Sequence, residues 1–303
     1  MKLKNNVLAT FGNYVSENGY RIVDAQEVAE EGEFKYGEGP HRVITDGLSI
    51  SVSQALANVV EPLELDSAIH RNFAALTDEE AFVEFASRFG LLGGVEIPIE
   101  IADWSPARMI TGEPVEIWLK EVKSLRTAIS LWDWMKEGAA EQLARYFDIE
   151  KPQLSAKAQA FLVTGDPVSA TALVVKKMVQ NNLAGGVFGN LDGDDAALAP
   201  RIELAPINLR TGLWFMFAAE INDQRQYKSC AQCGKWMEVR TGSRRTSRLY
   251  CSNACRTKTH HERQVMARQM FDQGVSVADI AQKMESDVST IEKWTKRNDG
   301  KKQ

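Results

Sequence analysis

The chain has 303 residues, is 44% hydrophobic and 25% charged, and carries a formal net charge of −5. That length predicts two or three domains with enough apolar material for a sizeable core, which excludes a fold dependent on staples throughout. No stretch approaches the roughly 18 uninterrupted apolar residues of a membrane helix, and MKLKNNVLATFGNYVSENGY lacks the apolar run and cleavage site of a secretory signal. A cytoplasmic protein without disulfides or a membrane partner is expected. The average charge hides a division. Residues 225–303 hold 17 Lys and Arg against 8 Asp and Glu, a balance of +9, while residues 1–224 hold 19 against 33, a balance of −14. An acidic body with a basic end points to nucleic acid as the partner of that end.

In chain order, HRVITDGLSISVSQAL is read as containing a hairpin with Asp46-Gly47 as its turn. Thr77-Asp78-Glu79-Glu80 predicts a capping box, in which the Thr hydroxyl and a Glu carboxylate satisfy amides at a helix start. Phe82, Phe85 and Phe89 then share one face, and Gly90 supplies the stop. Glu113-Pro114 opens a second helix. Its apolar residues Trp118, Val122, Leu125, Ile129 and Trp132 form one stripe. The two tryptophans read as core packing in preference to a ligand box. The stretch from Ala170 to Asn181 predicts a third helix. The segment AGGVFGNLDGDDAALAP matches neither a phosphate loop nor a calcium loop and is expected to be an exposed loop. Pro206 is expected to begin a further helix with Leu209, Leu213, Met216, Phe217 and Ile221 on one side. Neither repeats nor low-complexity tracts occur.

That helix runs into CAQCGKWMEVRTGSRRTSRLYCSNACRTKTHHER, which contains all four cysteines of the chain. Cys230-x2-Cys233 and Cys251-x3-Cys255 suit one tetrahedral, structural Zn2+, because each short pair lets one tight turn aim two thiolates at the same ion. Gly234 supplies the positive φ that a knuckle after the second ligand requires, and amides in such turns can donate to the sulfurs. Trp236, Met237 and Val239 predict a strand, Thr241-Gly242-Ser243 a turn, and Leu249-Tyr250 a returning strand. Ser252 would cap a helix with Cys255 on its first turn. Knuckle, hairpin and helix compose a treble clef, whose folding free energy comes from the metal. A redox dithiol at Cys230-x2-Cys233 lacks the expected βαβ context, and a catalytic zinc would need an open position that four cysteines leave no room for. Replacement of a ligand by His260 or His261 is the remaining variant. His41 and His70, isolated in sequence, read as structural.

On these residues, CAQCGKWMEV…YCSNACRTKTHHER resembles the C-terminal finger of bacterial regulators built from an ABATE domain followed by a CGNR-type zinc finger. AFVEFASRFGLLGG and WLKEVKSLRTAISLW are similar in flavour to the N-terminal domain of that family. The resemblance implies a DNA-binding finger and an N-terminal stress-sensing module. This chain has Cys255-Arg256-Thr257-Lys258 where the family has Cys-Gly-Asn-Arg, and its second pair is one residue tighter.

Between Arg225 and Arg268 there are 11 basic residues against two acidic ones. Arg240, Arg244, Arg245 and Arg248 fall on the expected hairpin, and Arg256, Lys258 and Arg263 on the helix after it. Arginine's planar fork suits phosphate. Docking onto the acidic body is the competing use of this charge. VMARQMFDQGVSVADIAQKMESDVSTIEKWTKR then reads as three helices. Met266, Met270 and Phe271 start the first, which stops at Gly274. Ser276 caps the second, with Val277, Ile280, Ala281 and Met284 inward. Ser286-Asp287 turns the chain, and Ser289 caps the third, with Ile291 and Trp294 inward. The pattern resembles the helix-turn-helix of site-specific recombinases and many repressors. That resemblance implies that the last helix enters the major groove, with Thr290, Glu292, Lys293, Lys296 and Arg297 near DNA.

The expected architecture is therefore a mostly helical, acidic, ABATE-like domain over residues 1–205, with a small hairpin near its start. A connecting helix over 206–227, a four-cysteine treble-clef zinc finger over 228–264 and a helix-turn-helix over 265–303 follow. The expected function is DNA binding by a transcriptional regulator and not catalysis; a homodimer is compatible with it. The alternatives are an adaptor whose finger binds an acidic protein, such as an antitoxin or phage-related factor, and a histidine–metal nuclease, for which His260-His261 is poorly placed.

Overall fold

The structure is a computed structural model that describes residues 12–27, 41–48, 57–93, 95–101, 108–150, 153–192, 201–239 and 248–296. Among these residues helices predominate and the strands are short. The chain forms two compact units, Met1–Arg225 and Gln226–Gln303.

The first unit begins with strands β1 (Asn13–Ser16), β2 (Arg21–Glu27), β3 (His41–Thr45) and β4 (Ala57–Val60). Helices α1 (Pro62–Leu65), α2 (Ile69–Ala74) and α3 (Glu79–Phe89) follow, then strands β5 (Val95–Ile101) and β6 (Arg108–Pro114). Helices α4 (Val115–Glu137), α5 (Ala140–Glu150), α6 (Ala156–Val163) and α7 (Pro167–Leu183) come next. Strands β7 (Val187–Asp192) and β8 (Arg201–Pro206) and helix α8 (Leu209–Asp223) complete the unit. Strands β2, β3, β6 and β5 close into a small antiparallel barrel, while β1 pairs with β4 and β7 with β8. Register between β3 and β6 sets Val43 opposite Pro114 and Thr45 opposite Gly112. Gly112 is required there, since a Cβ would sit 2.7 Å from Val43 Cγ1.

The core is organised by α4. Trp118 and Leu125 are fully buried, and Val122 and Ile129 nearly so. Phe73 and Phe82 each place their rings 5.8 Å from Trp118, and Phe85 packs edge-on at 6.1 Å. Aromatic pairs at such separations add to the area they bury. Trp214 and Phe217 on α8 extend the same core.

Three buried carboxylates stitch this core together. Glu113 accepts from the amides of Leu92 and Gly93 and from the Trp118 indole. Glu121 accepts from the Trp214 indole and pairs with Arg210 at 2.8 Å. Glu220 meets His70 Nε2 at 2.9 Å and Arg71 Nε at 2.8 Å. Arg71 also forks onto Asp133, and Lys136 reaches Asp133 at 3.0 Å. His70, Arg71 and Glu220 are all buried. Burial alone would raise the Glu220 carboxyl, but hydrogen bonds from His70 and Arg71 outweigh it and hold it down to about 2. Burial lowers the His70 imidazole below 6.5 despite the Glu220 contact.

Several expectations are corrected. The first unit contains eight strands among the described residues, more than the single expected hairpin. Most pair across long sequence separations, such as β2 with β5, which local patterning does not register. Strand β3 pairs with β2 and β6, and residues 49–56, the expected second arm of the Asp46-Gly47 hairpin, lie outside the described residues. Asp78, not Thr77, caps α3. Its carboxylate accepts from the Ala81 amide at 2.9 Å, which leaves an alanine where the box needed Glu. Glu113 and Pro114 end β6, and the helix starts at Val115. The expected loop after residue 184 includes β7, whose partner β8 lies beyond the glycine-rich stretch. Pro206 closes β8, and Asn208 caps α8 by accepting from the Thr211 amide. Helix α8, expected as a connector, lies within the first unit and contributes Leu209, Leu213, Trp214 and Phe217 to its core.

The second unit contains β9 (Gln226–Ser229), β10 (Trp236–Val239), α9 (Asn253–Asp272), α10 (Val277–Lys283) and α11 (Val288–Thr295). Helix α9 runs unbroken through residues 264 and 265, where a boundary between finger and terminal helices was expected. Ala267, Ile280, Ala281 and Ile291 form a small core shared by α9, α10 and α11. Asp287, not Ser289, stands at the N-cap of α11.

Candidate metal centre

The strand expected over Trp236–Val239 is present, but its partner is β9, which precedes the cysteines. Trp236 faces Ser229 and Val239 faces Gln226. The hairpin therefore closes through the first cysteine pair itself. Cys230 donates its amide to Lys235 O at 2.8 Å, and Gly234 donates to Cys230 O at 2.9 Å with φ of 72°. Leu249 and Tyr250 do not return as a strand; Leu249 O instead accepts from the Ala231 amide at 2.9 Å. The expected turn at 241–243 lies outside the described residues. Ser252 caps α9 as expected, accepting from the Cys255 amide at 3.2 Å, and so places Cys255 on the first turn.

These elements bring the four Sγ atoms of Cys230, Cys233, Cys251 and Cys255 within 4.8 Å of one another. The Cys233–Cys251 and Cys251–Cys255 sulfurs are each 3.5 Å apart. Those gaps far exceed the about 2.05 Å of a disulfide. They approach the about 3.8 Å edge of a tetrahedron with metal–sulfur bonds of about 2.3 Å. Cys230 is buried and Cys233 is exposed. The Cys251 amide donates to Cys230 Sγ at 3.3 Å. Burial would raise the Cys230 thiol, but amide donation from Cys251, Cys233 and Gln232 outweighs it and lowers the thiol to about 6. Burial and then the surrounding sulfurs push Cys251 up to about 12. Thiolates packed this closely repel one another unless a cation lies between them. The donor set and its spacing fit a metal ion that would be held by all four cysteines.

His260 and His261 stand outside this group. His260 instead packs edge-on against Trp294, at 5.3 Å and 88°.

Of the residues expected to meet nucleic acid, Arg240, Arg244, Arg245 and Arg297 lie outside the described residues. Arg248 is turned onto its own backbone, donating to Tyr250 O at 2.7 Å and to Cys251 O. Arg263 donates to Met284 O and to Ser286 Oγ, the latter at 2.7 Å, and so fastens the turn between α10 and α11. Arg256 and Lys258 on α9, and Lys293 and Lys296 at the end of α11, are exposed, and Thr290 is half-buried. Thr290 borders a shallow groove together with Gln282, Glu285, Asp287 and Val288. Two carboxylates line that groove, so the positive charge of the last helix collects at its C-terminal end.

Sequence reasoning missed Gln232. This residue sits inside the first knuckle and bonds across to α9, to Thr259 and to Glu262. Its signal was its place between two ligands, where a polar side chain has a helix within reach.

Among the described residues no helix is long and apolar enough to cross a membrane. Compared with protein-family models, curated proteins and solved structures, the chain matches none.

Proposed function

We propose that the second unit is a DNA-binding element of a transcriptional regulator: a structural zinc finger of treble-clef type continuous with a helix-turn-helix. The observation that carries this reading is the convergence of four thiol sulfurs within 4.8 Å at one end of a helix whose other end joins α10 and α11. The surrounding segment carries a balance of +9. Four sulfurs close the coordination shell, which supports a structural role for the ion and not a catalytic one. When bound, zinc would supply the ordering energy of the finger. Arg256, Lys258, Lys293 and Lys296 would neutralise phosphate, and α11 would approach the base edges. The acidic first unit would sense a signal or pair subunits in the cytoplasm.

Fluorescence anisotropy with random and genomic DNA fragments at two salt concentrations, on protein of measured zinc content, tests the proposal. Binding that weakens steeply with salt supports it. Replacing both Lys293 and Lys296 with Ala should reduce the salt slope by about 1 per lost phosphate contact. Binding that ignores salt, or no binding by zinc-loaded protein, refutes it. A second reading, an adaptor for an acidic protein, draws on the engagement of Arg248 and Arg263 with their own backbone, which leaves fewer cations for phosphate.

A further inference from the structure

We propose that metal occupancy controls whether α11 is seated: the sulfur cluster keeps the first half of α9 helical, and that half holds contacts that lock α11. The inference rests on the metal-centre reading above and adds a regulatory consequence to it.

Helix α9 spans 20 residues, yet Ala267 is its one buried residue. Every residue from 253 to 262 is exposed or half-buried. A polar stretch of that size, below about 12–15 residues, is marginal as a helix in water unless something else holds it. Here the supports come from the cysteine loops. Ser252 caps the helix, Cys255 anchors its first turn to the sulfur cluster, and Gln232 ties Thr259 and Glu262 to the knuckle. All three depend on the loops that the metal would organise.

At the end of that stretch stand contacts to the last helix and to the turn that leads into it. His260 lies against the Trp294 ring, and one turn later Arg263 grips Met284 O and Ser286 Oγ. Farther along, Arg268 donates to Trp294 O at 2.8 Å. The core that α9, α10 and α11 share buries four small or medium residues, with Met270, Val275, Val277, Met284 and Trp294 only partly buried against it. It is too slight to hold α11 firmly once the first two contacts are gone. Loss of metal therefore frays α9 from its N-terminus and releases α11. A protein that reads DNA through α11 would do so only when metal-loaded.

Hydrogen exchange on the full chain, before and after chelation, tests this, with metal content measured on the same samples. Chelation is expected to lower protection of residues 257–263 and of residues 291–296 together, each by at least about tenfold, while α4 stays unchanged. A double variant, Thr257→Ala with His261→Ala, raises helix propensity at two exposed positions. It is expected to restore part of the α11 protection without metal. Chelation that opens 257–263 but leaves 291–296 protected, or a double variant that rescues α9 and not α11, overturns the inference while the metal-centre reading stands. Untreated protein without stoichiometric metal overturns both.

Discussion

The two units reach stability by opposite means. The first buries a continuous aromatic and aliphatic core around α4 and tolerates three carboxylates within it because each has several donors. The second buries only a few apolar residues, four of them shared by α9, α10 and α11 and others, such as Met237 and Val239, on β10. Beside these it has hydrogen bonds between α9 and its neighbours and a cluster of four thiols that could hold a metal. Size explains the difference. A large unit can bury charge, because hydrophobic burial carries the fold and paired ions refine it. A small one lacks the interior volume and needs a cross-link that gathers distant segments at a single point.

That contrast predicts where each unit breaks. The largest effect belongs to Cys251→Ser. Under the proposed metal reading, loss of one of the four sulfurs should remove a large part of an ordering free energy whose whole is on the order of 10 kcal/mol. Protease accessibility should rise after Gln226 and remain unchanged in the first unit; equal resistance across the chain would refute the contrast. Glu220→Gln ranks next. It leaves Arg71 buried without its full counter-charge, and a loss of about 3–5 kcal/mol is expected. The urea midpoint of the first unit should fall, with metal content unaffected.

Acid should weaken the first unit in a third test. Glu220, held down to about 2, favours the folded state fully above its ordinary value of 4.5, and that contribution is lost as pH falls through 2. His70 acts in the same direction from higher pH. Its folded pKa lies below 6.5, so the unfolded chain takes up a proton below 6.5 that the buried ring refuses. The expected loss from Glu220 alone is on the order of 2 kcal/mol by pH 3, rising toward about 3 below pH 2. Exchange rates of α4 amides between pH 7 and 3 check this once corrected for intrinsic rates, and an unchanged stability would contradict it. The smallest effect is Arg263→Ala, which frees Met284 O and Ser286 Oγ and should cost about 1–2 kcal/mol. Melting of α10 and α11 should move while α4 does not.

The four sulfurs were legible in the sequence because ligand spacing is local: two short pairs and a serine cap fix where each thiol sits on its turn. The apolar stripe of α4 was legible for the same reason, since Trp118, Val122, Leu125 and Ile129 repeat with the helical period. The barrel was not, because Gln26 meets Glu100 and Ile44 meets Glu113 across gaps that no local pattern spans. The His70–Arg71–Glu220 network was hidden likewise. Its partners lie about 150 positions apart; His70 reads as structural, but nothing local joins it to Arg71 and Glu220. Arg248 and Arg263 were read by type as phosphate ligands, whereas the nearest acceptors are carbonyls of their own chain. Composition counts charges but does not say which of them the fold has already engaged.

The unbroken course of α9 sets a rotational phase. Cys255 and Ala267 stand twelve positions apart on one rod. Each added residue would swing one end by about 100° around the axis relative to the other. A single insertion, harmless in most loops, would here turn the thiol cluster away from α11, and only changes near whole numbers of turns would preserve the alignment. The interval between those two positions therefore works as a fixed gauge, which an insertion series would reveal as periodic loss and recovery.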